Sequence, residues 1–320
     1  ECTIDANWNY TLADIALNLK HNNVLSEVNS PHAIGYSDFY FCLAPPKLIV
    51  KKALDGNRAN ANDQFEITVT GGSVATNSFT TTGSGSTVTN DTSATLSLAE
   101  NTSYTITERT MNGTALGDIA NYNATYTCTN ATTGNTTVMP TAAMTYNATA
   151  KTRSFTLANT TYGDEITCTI VNTPRPYTFS GTVFNDNGGI TGSNADATNE
   201  NITTGPYANN NNYFNGVFDT VAPNAETAIT GSTVRLVNCA APSTVYATQV
   251  VSPAGTYQIS APAATINSNI NNICLIEERS DNDYPIRTSS GSRNIRIVAN
   301  TYDYPNNNFG RVIAANAALV

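Results

Sequence analysis

Apolar and polar residues alternate along short stretches of this chain, the period of strands with one face turned to a core. Leu48, Val50 and Leu54 share one face, and Phe65, Ile67 and Val69 share another that ends at Gly71-Gly72. Leu96 with Leu98, Tyr104 with Ile106, then Ala124, Tyr126 and Cys128, and finally Ile166, Cys168 and Ile170 continue the pattern. Further strands are expected over 177–184, 232–239, 245–251, 272–277, 294–298 and 309–320. Turn residues separate these runs, which predicts an all-β chain of sandwiches or partly open barrels. A short helical spacing occurs at Leu12, Ile15, Ala16 and Leu19, with a strand expected over 39–43.

Two proline clusters divide the chain. Ala44-Pro45-Pro46 and Thr173-Pro174-Arg175-Pro176 cannot continue a ladder or a helix. The predicted organisation is a small segment over 1–46, a sandwich over 47–174 and a second sandwich over 175–320. A segment as small as 1–46 buries too little surface to stand alone, so it is expected to be completed by strands from elsewhere. Within the last segment, an Asn/Gly/Asp-rich stretch over 185–228 is too long for a turn and reads as a functional or disordered loop.

Composition sharpens this picture. Hydrophobic residues make up 40% and charged residues only 12% of the chain, the balance being filled by Asn, Thr, Ser and Gly. Thr suits strand surfaces while Asn and Gly suit tight turns. A net charge of −9 would repel polyphosphate and argues against a nucleic-acid partner. No apolar run approaches the roughly 20 residues that span a membrane as a helix. The sequence lacks an initiator Met and a signal-peptide pattern, so it is read as a processed chain or a piece of a longer one.

The six cysteines fall in neighbouring pairs, Cys2 with Cys42, Cys128 with Cys168 and Cys239 with Cys274, one pair per segment. None has C-x-x-C spacing, and His21 and His32 are the only histidines. The pairs read as disulfides of an extracellular or cell-surface protein, against the alternative of buried free thiols.

One constellation exceeds generic β structure. Extending the apolar alternation places Lys52 after Leu48 and Val50, Glu108 after Tyr104 and Ile106, and Asn172 after Ile166, Cys168 and Ile170. A Lys, a Glu and an Asn thus take core-facing positions, which is unfavourable for the charges unless they are paired or neutralised. Desolvation favours neutral Lys52 and protonated Glu108. The Lys52 amine could then attack the Asn172 side-chain carbonyl, with Glu108 shuttling the proton and ammonia leaving, to give an isopeptide bond in a single turnover. The alternative is that Lys52 snorkels at the strand end and pairs with Glu108 without a covalent bond.

The stretches "KLIVKKALDG", "SYTITERTMNG" and "GDEITCTIVNTP" resemble a prealbumin-like B-type domain of bacterial SpaA-like pilins and collagen-binding adhesins. In that family a Lys of the first strand joins an Asn of the last, assisted by the Glu of a Y-x-I-x-E strand. By that resemblance the positions are Lys52, Asn172 and Glu108. The cysteine pair Cys128/Cys168 departs from the pattern.

Residues 177–320 resemble the B-like repeat of long serine-aspartate adhesins, through "FSGTVFNDNG", "ITGSTVRLVNC", "SPAGTYQIS" and "CLIEE". The resemblance implies a Ca²⁺ site at Asp186, Asn215, Asp219 and Glu226, oxygen donors on a loop. The alternative is a turn cluster that hydrogen-bonds its own backbone. With no Lys after Lys151, this segment cannot form a Lys–Asn link, and Glu277 reads as an ordinary polar strand residue.

No nucleophile–base or metalloprotease motif is present, so the chain is not expected to be an enzyme. Sequons at Asn9, Asn101 and Asn135 are weak evidence in so Asn/Thr-rich a sequence. The expected function is a structural subunit or stalk segment of a bacterial extracellular fibre. The alternative is an adhesin domain that recognises a glycan or host protein through the 185–228 loop, where Tyr207 and Tyr213 lie. The 309–320 tail is β-compatible and apolar on both faces. The expected partner is a second copy, joined head to tail by adding the 311–320 strand to the 1–46 segment.

Overall fold

The structure is a computed structural model and describes residues 44–72, 74–190, 212 and 214–313. The chain divides between Pro174 and Arg175 into two compact units.

The first unit is a two-sheet sandwich. Its strands are β1 (Lys47–Leu54), β2 (Asp63–Gly71), β3 (Val74–Thr80), β4 (Leu96–Ser97), β5 (Tyr104–Asn112), β6 (Ala115–Leu116), β7 (Tyr122–Asn130), β8 (Thr145–Asn147), β9 (Thr152–Leu157) and β10 (Glu165–Pro174). One sheet runs β4-β1-β10-β7 and the other β3-β2-β5-β9-β8, with β6 on β5. The first and last strands, β1 and β10, pair parallel, with Leu54 opposite Asn172. Period-2 patterning is realised in β2 and β5, whose alternate residues are buried. Gly71 turns the chain at φ +129, where a Cβ would collide with the Ser103 carbonyl.

Buried polar groups hold the connections. Arg58, 1% exposed, donates from Nε to the Asp63 carbonyl at 2.6 Å and from Nη1 to those of Gly85 and Thr87 at 3.0 and 2.7 Å. Tyr122 donates its hydroxyl to Asp63 Oδ2 at 2.7 Å, tying β7 to β2. Cys128 and Cys168 lie directly opposite on β7 and β10 and form a disulfide.

The second unit has β11 (Tyr177–Asn185), β12 (Thr227–Ala228), β13 (Ser232–Asn238), β14 (Val245–Val250), β15 (Thr256–Ala261), β16 (Ile273–Arg279), β17 (Ile286–Arg287), β18 (Ser292–Asn294), β19 (Asp303–Tyr304) and β20 (Phe309–Val312). A short helix, α1 (Ala263–Asn267), links β15 to β16. One sheet runs β12-β11-β20-β17, with β15 and β19 also on β11; the other runs β14-β13-β16-β18. Here too the first and last strands, β11 and β20, pair parallel, with Asn185 opposite Arg311. Val183 and Phe184 are both buried although adjacent, because the Phe218 ring covers Phe184 from the loop side at 5.0 Å between centroids.

Two expectations change. The strand expected over 294–298 lies at Ser292–Asn294, where Asn294 pairs with Cys274 of β16. The expected 309–320 strand is described as far as Val312, with residues 314–320 outside the described residues. Its Arg311 and Val312 are not free for another copy: both are buried in their own unit, between β11 and β17. The 1–46 segment, with Cys2, Cys42, His21 and His32, lies outside the described residues except for 44–46.

Candidate functional site: a buried Lys–Glu–Asn constellation

Three strands from two sheets place the site. Lys52 on β1 is 2% exposed, and Glu108 on β5 and Asn172 on β10 are fully buried. Alternation brings each inward, as the sequence pattern predicts, and the parallel pairing of β1 with β10 sets Lys52 and Asn172 two residues apart in register on neighbouring strands.

The Lys52 Nζ lies 3.3 Å from Glu108 Oε1 and donates to the Ala53 carbonyl at 2.7 Å and the Ile170 carbonyl at 3.4 Å. It also sits 4.5 Å over the Phe65 ring, a contact the sequence pattern did not single out. Asn172 Nδ2 donates to the same Glu108 oxygen at 2.9 Å. The other Glu108 oxygen, Oε2, and Asn172 Oδ1 are buried with no hydrogen-bond partner. Burying unsatisfied oxygens is unfavourable by about 1–3 kcal/mol each. The site is therefore compact but incompletely satisfied.

Electrostatics push the pair toward neutrality. Burial lowers the pKa of Lys52, partly opposed by the charge of Glu108. Burial raises the pKa of Glu108, partly opposed by Lys52, the Asn172 amide and Arg153. A neutral amine beside a protonated carboxyl and a side-chain amide is the reactant set for transamidation: nucleophile, proton shuttle and acyl donor.

The four residues of the expected Ca²⁺ site do come together, in the loop after β11. Asp186, fully buried, accepts from the backbone amides of Asn215 at 3.3 Å and Gly216 at 2.7 Å. Glu226 accepts from those of Gly188 at 2.9 Å and Asp219 at 3.1 Å. Asn215 turns its amide nitrogen, a donor, toward Asp219 Oδ2 at 3.3 Å. Among the described residues no group of three or more His, Cys, Asp or Glu side chains is arranged to hold a metal ion. The carboxylate oxygens of Asp186 and Glu226 thus accept from the loop's own backbone amides, while Asp219 accepts from the Asn215 side chain. Burial pushes the Glu226 carboxyl up to about 8, with Asp186 beside it adding to the rise.

Glu277 is a correction to the sequence reading. It is fully buried on β16, and its two oxygens accept from Arg311 Nε at 2.8 and 2.9 Å. The Cys239–Cys274 disulfide lies in the same sheet. Tyr207 and Tyr213 lie outside the described residues.

A family model described as a prealbumin-like fold domain matches residues 47–174, the whole of the described sandwich that carries Lys52, Glu108 and Asn172. Residues 47–174 are a prealbumin-like domain. No curated protein matches the chain. Among solved structures, a mutant of the major pilin from Streptococcus pyogenes is 14% identical, with 41% of this chain and 48% of that chain covered and a TM-score of 0.21. The present chain thus spans about half of that pilin. GBS52, the minor pilin of Streptococcus agalactiae, is 8% identical over 84% of this chain and 97% of its own, with a TM-score of 0.26. A double mutant of the shaft pilin SpaA from Lactobacillus rhamnosus GG is 8% identical over 85% and 98%, with a TM-score of 0.24. At these identities and scores the likenesses add nothing to what the family model assigns. The prealbumin-like domain thus carries the constellation between its first strand, its last strand and the facing sheet.

Proposed function

We propose that the chain is a structural subunit or stalk segment of an extracellular bacterial fibre, and that its prealbumin-like domain locks itself with an isopeptide bond between Lys52 and Asn172. The observation that carries this reading is the burial, in one contact set, of a lysine, a glutamate and an asparagine whose remaining oxygens have no partners. A buried charge pair left in that state is a poor stabiliser. A reaction that consumes the charge removes the problem.

The step balances without a redox partner. The neutral Lys52 Nζ attacks Cγ of Asn172, and the Nζ–Cγ bond forms as the Cγ–Nδ2 bond breaks. Protonated Glu108 supports the developing oxyanion and passes the amine proton to Nδ2, which departs as ammonia. Glu108 ends as it began. The chain turns over nothing else in this reading, and its place is the cell surface or the medium, where disulfides such as Cys128–Cys168 persist.

The reading extends to head-to-tail joining of copies through the 1–46 segment and the residues after Val312, since β20 itself is engaged within its own unit. Peptide mapping tests the link: a peptide containing Lys52 should be found joined to one containing Asn172. Glu108→Ala should return the two peptides as separate species. A joined peptide in Glu108→Ala, or none in the parent, would contradict the proposal.

A further inference from the structure

The second unit places a comparable set of residues by the same topology. In the first unit, Leu54 pairs with Asn172 across the parallel first and last strands, so Lys52 stands two residues before that pair. In the second, Asn185 pairs with Arg311 across parallel β11 and β20, so Val183 stands two residues before it. The facing sheets correspond as well. The order β3-β2-β5-β9 matches β14-β13-β16-β18, with β5 and β16 each third. Glu108 of β5 pairs with Ile67 of β2, and Glu277 of β16 pairs with Val234 of β13. Setting Asn172 beside Arg311 on the last strands places Lys52 beside Val183 on the first, and Glu108 and Glu277 are each buried on the third strand of the facing sheet.

The chemistry at these positions differs in one way. Val183, fully buried, brings no amine, so the buried Glu277 needs its cation from elsewhere. Arg311, at the position of the asparagine, supplies it. Its Nε reaches both carboxylate oxygens at 2.8 and 2.9 Å, and its Nη1 donates to the Tyr284 carbonyl at 2.9 Å. Arg287 adds a second guanidinium, 3.5 Å from Glu277 Oε2, and donates to the Glu277 carbonyl at 2.7 Å. A guanidinium stays protonated in proteins and is no nucleophile, so this arrangement closes as a charge pair and goes no further.

We infer that Val183, Glu277 and Arg311 form the second unit's version of the prealbumin-like domain's locking site, in which an ion pair between the facing sheet and the last strand replaces the covalent bond. One unit would be fastened permanently and the other reversibly. The positional equivalence stands on the strand registers, while the covalent half of the comparison rests on the function proposed above.

The test is to convert each site into the other in the full chain. In Val183→Lys/Arg311→Asn, the introduced amine faces the introduced side-chain amide beside Glu277. The Nζ–Cγ bond forms, Cγ–Nδ2 breaks and ammonia leaves. The expected mass is one ammonia below the parent's after allowance for the substitutions, and adding Glu277→Ala should restore it. If the parent carries its Lys52–Asn172 link and the folded variant, with Cys239–Cys274 formed, gains none, the inference is overturned.

The reverse conversion needs no covalent chemistry. Asn172→Arg should rescue Lys52→Val, raising the unfolding midpoint of the first unit, read by hydrogen exchange in β1 and β10, above that of Lys52→Val alone. This arm decides the matter if the parent carries no link, an outcome that contradicts the proposed function, or if the Val183→Lys/Arg311→Asn variant fails to fold. Rescue supports the equivalence; no gain in midpoint overturns it.

Discussion

Glu108 and Glu277 are both fully buried, each on the third strand of its facing sheet, yet their surroundings differ. Glu108 shares one oxygen between Lys52 and Asn172 and leaves the other without a partner. Glu277 has both oxygens engaged by Arg311, with Arg287 close by. A satisfied carboxylate between guanidinium groups is at rest. A half-satisfied one sits beside a lysine whose pKa burial lowers, which is the state the proposed reaction draws on. On the proposed reading, corresponding positions in the two sandwiches serve opposite ends, and the identity of the neighbouring cation decides which.

The comparison predicts unequal responses to mutation. The largest is expected for Asn172→Ala, which removes the acyl donor. A cross-link between Lys52 and Asn172 encloses a loop on the scale of 100 residues, for which chain entropy predicts about 4.7 kcal/mol. Denaturant unfolding of the first unit should show most of that loss, whereas a change under about 1 kcal/mol would mean no link existed. Glu277→Gln should come next. It strands Arg311 in the core, and breaking a buried pair by removing one partner typically costs about 3–5 kcal/mol. Coupling Arg311→Met with Glu277→Gln should recover much of this, because an apolar pair of similar size needs no countercharge. Equal losses in the single and double variants would show that charge is not what matters there.

Much of this was legible in the sequence, and the reasons are physical. Alternation in β2 and β5 exposes their inner faces directly, so continuing it to Glu108 requires no knowledge of partners. The same holds for Lys52 and Asn172. The Glu277–Arg311 pair was not legible because it depends on parallel pairing between the first and last strands of the second unit. Arg311 also stands within an apolar tail that reads as a strand wanting burial on both faces, which hid its role as a counterion. The Asp186 and Glu226 carboxylates read as ligands because their residue types suit a cation; only the loop's backbone course reveals the amides that fill them. The strand at Ser292–Asn294 was misplaced because the apolar signal of Ile295 and Val298 falls after the paired residues.

The last effect concerns pH and centres on Glu226 in the second unit. A carboxyl raised from its ordinary value of 4.5 to about 8 binds more protons in the folded state than in the unfolded one. The contribution of Glu226 is therefore fully present below pH 4.5 and lost as pH rises through 8. Hydrogen exchange around Gly188 and Asp219 should quicken over that window beyond the intrinsic rise, and Glu226→Gln should flatten the dependence. An unchanged profile in Glu226→Gln would assign the loosening to another group.

The central claim is that the prealbumin-like domain joins Lys52 to Asn172 covalently while the second unit forms no corresponding bond. Intact mass of the purified chain after complete disulfide reduction tests it most directly. The account predicts a mass below the sequence mass by one ammonia, no more and no less, and no deficit in Lys52→Ala. A reduced mass equal to that of the sequence would contradict it, as would a deficit of two.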